Sequence, residues 1–184
     1  VGRVPVPDTR LHEIATIARS KSVTPTSLEF IDIAGLVKGA SVGEGLGNQF
    51  LAQIRTVDAI AHVVRCFGGS EVSHSQGSID PVADVQIVEA ELMLADLDSL
   101  VRRRESLIRK ERGGDKDARS LIDAIAVAES ALEQGNPVRS LSLTAPMEQL
   151  VLSLELLSSK PVMYICNVDE AAIADGNDYS RSFQ

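Results

Sequence analysis

The chain has 184 residues, a formal net charge of -8, 44% hydrophobic residues and 24% charged residues, enough to bury a core in one domain with an insertion or in two small domains. No run approaches the roughly 18 apolar residues that a membrane span needs, and no signal peptide pattern is present, so we expect a soluble cytoplasmic protein without a membrane partner. The acidic balance argues against nucleic-acid binding over the whole surface, and we expect no specific DNA partner.

The first 33 residues predict a strand, a helix and a second strand. Residues 1–6 and 27–33 have strand patterns, and Asp8 is placed to cap a helix with apolar residues at helical spacing. These residues are Leu11, Ile14, Ala15 and Ala18. Strand, helix and strand in this order are typical of a layered α/β sheet.

The second strand runs directly into Asp-x-x-Gly, formed by Asp32 and Gly35. An acidic group at a strand exit can hold Mg²⁺ directly or through water, and a glycine lets backbone N–H groups approach a terminal phosphate. Four glycines follow between residues 39 and 47, before a helical pattern that ends near Val57. The segment predicts a nucleotide-responsive switch, with an ordinary turn and a passive surface loop as the alternatives.

Two continuous apolar runs, residues 59–67 and 161–166, predict parallel strands covered on both faces. Cys66 and Cys166 end these runs, so we expect buried free thiols rather than a disulfide. Between the runs, residues 81–112 predict one long helix, Asp115 is placed to cap a returning helix through Leu132, and a third helix is expected over 146–157. The predicted domains are therefore a nucleotide-binding part (1–80), a helical insertion (81–158) and a return segment (159–184).

The long helix carries two predicted apolar stripes and a basic end. The stripes are Val85, Val88, Leu92 and Ala95, and beside them Leu94, Leu97, Val101 and Ile108. Residues 102–119 contain eight basic and four acidic side chains. This cluster either faces the phosphates of RNA or is a solvated hairpin end with intrahelical ion pairs, and no aromatic residue is present for base stacking.

The string DIAGLVKGASVGEGLGNQFLAQIR, followed by DAIAHVVRCF, resembles the Obg-like ATPases, the YchF subfamily of the Obg-related P-loop GTPases. The resemblance covers nearly the whole chain. It implies an α/β fold with a mainly parallel sheet, a partial Ras-like P-loop NTPase domain carrying an α-helical coiled-coil insertion. It also implies a switch protein that hydrolyses ATP, and GTP less well, with Mg²⁺ and a possible monovalent cation, and that acts on the ribosome or ribosomal RNA.

The second nucleotide motif follows the strand 161–166. Ras-like GTPases carry Asn-Lys-x-Asp here, whereas this chain has Asn167, Val168 and then Glu170 in place of the terminal Asp. An Asn amide can pair bidentately with adenine N6 and N7. Asn167, Val168, Glu170 and Gly35 are therefore predicted to bind nucleotide, with ATP preferred.

Catalysis must differ from that of Ras-like enzymes, because Leu36 occupies the position of their water-positioning glutamine. The resemblance implies that a histidine from the loop after the fourth strand, here His74, approaches the phosphates instead. His12 and His62 are predicted to be structural. Gly35 completes the predicted catalytic set.

No Gly-x-x-x-x-Gly-Lys-Ser/Thr loop is present. The resemblance therefore implies an internal fragment, without the phosphate loop and the C-terminal TGS domain that the family carries. Alone, it should bind ATP weakly and hydrolyse it negligibly. Without the central first strand the sheet should split, unless further residues or another element fill the gap. The alternative function is a non-catalytic RNA- or protein-interaction module with a vestigial or incomplete nucleotide site.

Overall fold

The computed structural model describes residues 1–33, 46–68 and 79–183. The chain forms two compact units, Val1–Gly35 and Leu36–Gln184. The fold is α/β with a parallel strand pair and a helical insertion, as predicted. The division into the domains 1–80, 81–158 and 159–184 stays a prediction.

The first unit contains strand β1 (Gly2–Pro5), helix α1 (Thr9–Ala18) and strand β2 (Ser27–Phe30). The strands pair in antiparallel fashion, with Gly2 opposite Phe30 and Pro5 opposite Ser27. The predicted cap is confirmed, because the Asp8 side chain accepts a hydrogen bond from Arg10 N at 3.0 Å. The Arg10 guanidinium also binds this carboxylate and lowers the pKa of Asp8.

The second unit begins with helix α2 (Leu46–Arg55) and strand β3 (Ile60–Arg65), and strand β4 (Val162–Asn167) pairs with β3 in parallel over six residues. In the part of the chain that the structure describes, β1–β2 and β3–β4 are two separate two-stranded sheets, as expected for a split sheet. Both cysteines are free thiols, and Cys66 is fully buried.

Only one face of the β3–β4 pair is covered, so the prediction of two covered faces was wrong for the described residues. Val64 and Cys66 pack against Val85 and, on the same face, Cys166. On the opposite face Val63 is 61% exposed, and Met163 and Ile165 are exposed as well. The alternation arises because successive strand side chains point to opposite faces.

Helix α3 (Pro81–Arg112) and helix α4 (Lys116–Glu133) form the predicted hairpin. Asp80 caps α3, and the Asp115 carboxylate accepts hydrogen bonds from the N–H groups of Asp117 and Ala118. Gly114 has a φ of 90°, which explains the glycine at the turn. We call α3, the turn and α4 the helical hairpin; a coiled-coil geometry for it stays a prediction.

The core of the hairpin differs in part from the predicted stripes. Leu100, Leu107, Ile125 and Ala128 are buried in one cluster, whereas Leu94 and Val101 of the second predicted stripe are 49% and 46% exposed. The side of α3 that carries Leu100 and Leu107 therefore packs in the core with α4 and the segments after it. The side that carries Leu94 and Val101 is partly open to solvent.

Shorter helical segments connect and follow these elements. A 3-10 turn (Val138–Ser140) comes soon after α4. Helix α5 (Ala145–Leu152) ends five residues before the predicted 157, since Glu155 adopts a left-handed φ of 54°. A 3-10 turn (Leu157–Ser159) then leads into β4. After β4 come a 3-10 turn (Glu170–Ala172) and helix α6 (Asp178–Arg181).

Candidate functional site

Asp32 lies just after β2 in the first unit, and its side chain is exposed. Within residues 1–33, 46–68 and 79–183 its carboxylate has no hydrogen bond or ion pair, so both oxygens are open to a ligand. A carboxylate is the ligand type that Mg²⁺ accepts. The predicted metal ligand is therefore compatible with a magnesium ion.

Asn167 is the last residue of β4, and its position is fixed through the backbone. Its carbonyl accepts a hydrogen bond from Cys66 N at 2.8 Å, which extends the β3–β4 pairing past Arg65. The side chain is exposed and its amide has no partner in the described structure. An amide held on a rigid strand end, with its donor and acceptor both open, can read a planar base edge.

The three residues after Asn167 have distinct roles in the turn. Val168 packs against the buried cluster of Val64, Cys66 and Val85. The Asp169 side chain accepts a hydrogen bond from Ala172 N at 3.2 Å and so caps the 3-10 turn. Glu170, the first residue of that turn, is exposed. Sequence reasoning missed the capping role of Asp169, although an acid directly before a helical segment is a known signal.

Two predicted catalytic residues, Gly35 and His74, lie outside the described residues. Asp32 and Asn167 belong to different compact units. His62, predicted to be structural, lies on β3 opposite Tyr164 with ring centroids 5.9 Å apart. Burial lowers the pKa of His62, in agreement with a neutral structural side chain.

A polar cluster beside β4 was not predicted from the sequence. Glu89 on α3, Arg139 after α4 and Tyr164 on β4 share hydrogen bonds at one Glu89 oxygen. Burial and the Glu89 carboxylate raise the pKa of the Tyr164 hydroxyl. The available signal was an acid within the buried stripe of α3, because Glu89 lies four residues after Val85 and three before Leu92.

The segment that enters β4 is held at two further points that sequence reasoning missed. Asp96 on α3 is fully buried, and its two oxygens accept hydrogen bonds from Leu157 N and Ser158 N, both at 2.8 Å. Lys160 Nζ donates to the carbonyls of Val57 at 2.5 Å and of Arg55 at 3.3 Å, at the end of α2. The start of β4 is thereby tied to both α3 and α2.

The basic end of the hairpin is partly neutralised. Arg102 pairs with Asp98, Arg104 with Glu129 across the hairpin, and Arg119 with Glu111 and Asp123. Arg103 donates instead to the carbonyls of Ser153 and Leu154. Three exposed side chains have no such partner among the residues that the structure describes. They are Arg109, Lys110 and Arg112.

Comparison with known proteins identifies the relatives of this chain. A family model described as "50S ribosome-binding GTPase" matches residues 8–97. The protein "Ribosome-binding ATPase YchF" of Bacillus subtilis is 43% identical over 180 residues, which are 97% of this chain and 49% of that protein. The protein of the same name in Escherichia coli O157:H7 is 46% identical over 169 residues, 92% of this chain and 47% of its own length.

A solved structure shows the same fold. The "Structure of the Schizosaccharomyces pombe YchF GTPase" is 35% identical in sequence, with a TM-score of 0.78 over 98% of this chain and 50% of that one. The similarity confirms the predicted fold class, a partial P-loop NTPase domain with a helical insertion. The chain spans about half the length of the curated relatives that it matches. No helix in the described residues is long and apolar enough to cross a membrane.

Proposed function

Because this chain belongs to the YchF family of Obg-related P-loop NTPases, we propose that the intact protein is a nucleoside triphosphate hydrolase that binds the ribosome in the cytoplasm under the control of its nucleotide state. The observation that carries the proposal is the open amide of Asn167 on the end of β4, followed by a capped turn that exposes Glu170. Relatives carrying the names ribosome-binding ATPase and GTPase support both parts.

ATP is the proposed substrate, with GTP used less well. Asn167 pairs with adenine N6 and N7, and Val168 and Glu170 replace the lysine and aspartate of the guanine-reading motif. In Ras-like enzymes the carboxylate of the terminal Asp accepts hydrogen bonds from two guanine donors. Glu170 carries its carboxylate one methylene further from the backbone. The base-binding set is therefore Asn167, Val168 and Glu170.

Asp32 would hold Mg²⁺, which neutralises charge on the β- and γ-phosphates when bound. Gly35 allows backbone N–H groups to approach the terminal phosphate, and His74 orients the attacking water in place of the glutamine that Leu36 replaces. A monovalent cation is part of the proposal on family resemblance alone.

Calorimetric titration of the intact protein with ATP and Mg²⁺ tests the nucleotide site. Asn167→Ala should weaken ATP binding on the order of tenfold, because a bidentate amide–base pair contributes about 1–3 kcal/mol. Asn136→Ala is the matched control, since Asn136 is an exposed asparagine three residues after the end of α4 and outside the proposed base-binding set. Equal ATP affinity in the two variants would exclude Asn167 from the base site.

The ribosome is the proposed partner, with ribosomal RNA contacted by Arg109, Lys110 and Arg112 at the hairpin end. These side chains are exposed and carry no ion pair in the ranges described, so their charge is available to phosphates. The alternative, a non-catalytic RNA- or protein-interaction module, uses the same surface without nucleotide. Absence of ATP binding by the intact protein together with salt-sensitive RNA binding would favour it.

Two double variants separate free from paired charges. Arg109→Ala with Arg112→Ala should lower ribosome affinity and reduce the slope of log affinity against log salt by about 2, one per lost phosphate contact. Arg102→Ala with Arg119→Ala removes the same charge from residues already paired with Asp98 and Glu111, and should change the slope less. Equal slopes in both would place the RNA contact elsewhere.

A further inference from the structure

Three polar side chains join the helical hairpin to β4, and we call them the Glu89 cluster. Glu89 Oε1 accepts hydrogen bonds from Arg139 Nη2 at 2.5 Å and from the Tyr164 hydroxyl at 2.8 Å. Arg139 Nη2 also donates to the Tyr164 oxygen at 3.3 Å, and Arg139 Nη1 donates to the Ser158 carbonyl at 3.3 Å. Helix α3, the 3-10 turn after α4 and strand β4 therefore meet at one carboxylate.

The cluster is poorly arranged for stability. The side chains of Arg139 and Glu89 are only 21% and 13% exposed, so both charges are largely removed from water. Glu89 Oε2 is buried and has no hydrogen-bond partner in the structure described. A buried ion pair recovers little more than its desolvation cost, and a partly satisfied polar network is less stable than an apolar contact. Such a cluster is better explained by a role in positioning than by its contribution to folding.

One side of the cluster leads to the proposed base site. Tyr164 precedes Asn167 by three residues on β4, and the pairing with β3 continues without interruption from His62–Tyr164 to Arg65–Asn167. Hydrogen bonds along a parallel pair make this stretch move as one piece. A displacement of Asn167 on binding a base therefore reaches the Tyr164 hydroxyl.

The other side of the cluster leads to the helical hairpin. Glu89 lies in the third turn of α3, which continues as one helix to Arg112 at the basic end. Arg139 lies six residues after the end of α4, in the 3-10 turn Val138–Ser140. The cluster thus joins the early part of α3 to the turn that follows α4, at the base of the hairpin. A small rotation there gives the largest displacement at the far end.

We propose that the Glu89 cluster couples occupancy of the base-binding end of β4 to the position of the helical hairpin. Glu89, Arg139 and Tyr164 are positioning residues in this proposal, since none of them belongs to the proposed base-binding set. The inference rests on the proposed function, because it requires nucleotide to bind at Asn167. It adds the route by which that binding changes the surface offered to the ribosome.

Hydrogen exchange of the intact protein, measured by mass spectrometry with and without ATP and Mg²⁺, tests the coupling. In the wild type, ATP should slow exchange several-fold in peptides covering 167–173 and change exchange in peptides covering 84–92 and 137–141. In Tyr164→Phe, which lacks only the hydroxyl, the first effect should remain and the second should be lost. Glu89→Gln, which removes the ion pair at nearly constant volume, should behave in the same way.

Tyr179→Phe is the matched control, because Tyr179 packs against the same strand pair and its hydroxyl makes no hydrogen bond within the described ranges. It should keep both ATP effects. Retention of the hairpin effect in Tyr164→Phe and Glu89→Gln would overturn the coupling while leaving the nucleotide site intact. The coupling would also be overturned if, in the wild type, ATP protected 167–173 but left exchange in 84–92 and 137–141 unchanged. No ATP effect in any peptide would overturn both the coupling and the proposed nucleotide site.

Discussion

The helical hairpin and the N-terminal unit use the same kind of apolar pattern with opposite results. In the hairpin, Ile125 and Ala128 are fully buried against α3. In α1, which is described throughout, no residue is buried, and Ile14 and Ile17 are 62% and 85% exposed. Helical spacing therefore predicts a helix in both regions, but it does not establish that the apolar face has a partner.

Among the variants that test this contrast, Ile125→Ala should have the largest effect on stability. The side chain is 0% exposed within the hairpin core, so truncation leaves a cavity and should lower the free energy of unfolding by about 3 kcal/mol. Urea unfolding of the 184-residue chain, followed by far-ultraviolet circular dichroism, measures the loss. A decrease below about 1 kcal/mol would mean that the hairpin core collapses around the deletion or is less densely packed than its burial indicates.

A smaller effect is expected at Asp96, the buried acid that anchors the hairpin to the entry of β4. Asp96→Asn keeps one acceptor for Leu157 N and Ser158 N but turns an amide donor towards the other N–H. The free energy of unfolding should fall by about 2 kcal/mol, the cost of a buried unsatisfied donor. Asp98→Asn is the control on the same helix, since that carboxylate is exposed, and it should change little.

The same acid makes a prediction about pH. Burial raises the pKa of Asp96 above its ordinary value of 3.8, against the opposing effect of its backbone hydrogen bonds. A raised folded-state pKa means that the contribution of the group is fully present below the unfolded pKa and decreases as the pH rises through the folded pKa. The difference in free energy of unfolding between the wild type and Asp96→Asn, measured by urea unfolding at each pH, should therefore grow as the pH falls from 7 towards 4. A difference that shrinks would contradict a raised pKa of Asp96 in the folded protein.

Local signals account for what could be predicted of the fold. Asp8 and Asp115 were assigned as helix caps from their place before an apolar pattern, and both side chains accept the expected N–H bonds. The parallel pair β3–β4 followed from two continuous apolar runs. These features depend on a few neighbouring residues, which a sequence displays directly.

Features that depend on distant residues were not predictable in the same way. Glu89 meets Arg139 and Tyr164 across separations of 50 and 75 residues, and nothing local in the sequence pairs them. The exposed faces of Val63 on β3 and Leu94 on α3 were missed for the same reason, because burial depends on what packs there. At the candidate site, Asn167 was predicted from its motif, while the turn held by Asp169 appeared only in the structure.

The smallest expected effect is at Ile17, and it tests the other half of the contrast. The substitution Ile17→Ala is the same kind of truncation as in the hairpin core, but the side chain is 85% exposed. The opening free energy of the α1 amides, measured by hydrogen exchange on the 184-residue chain, should change by no more than about 0.5 kcal/mol. The sign should be stabilising, because alanine has the higher helix propensity. A loss of about 2 kcal/mol would instead show that Ile17 is buried in solution and that α1, like the hairpin, depends on its apolar face.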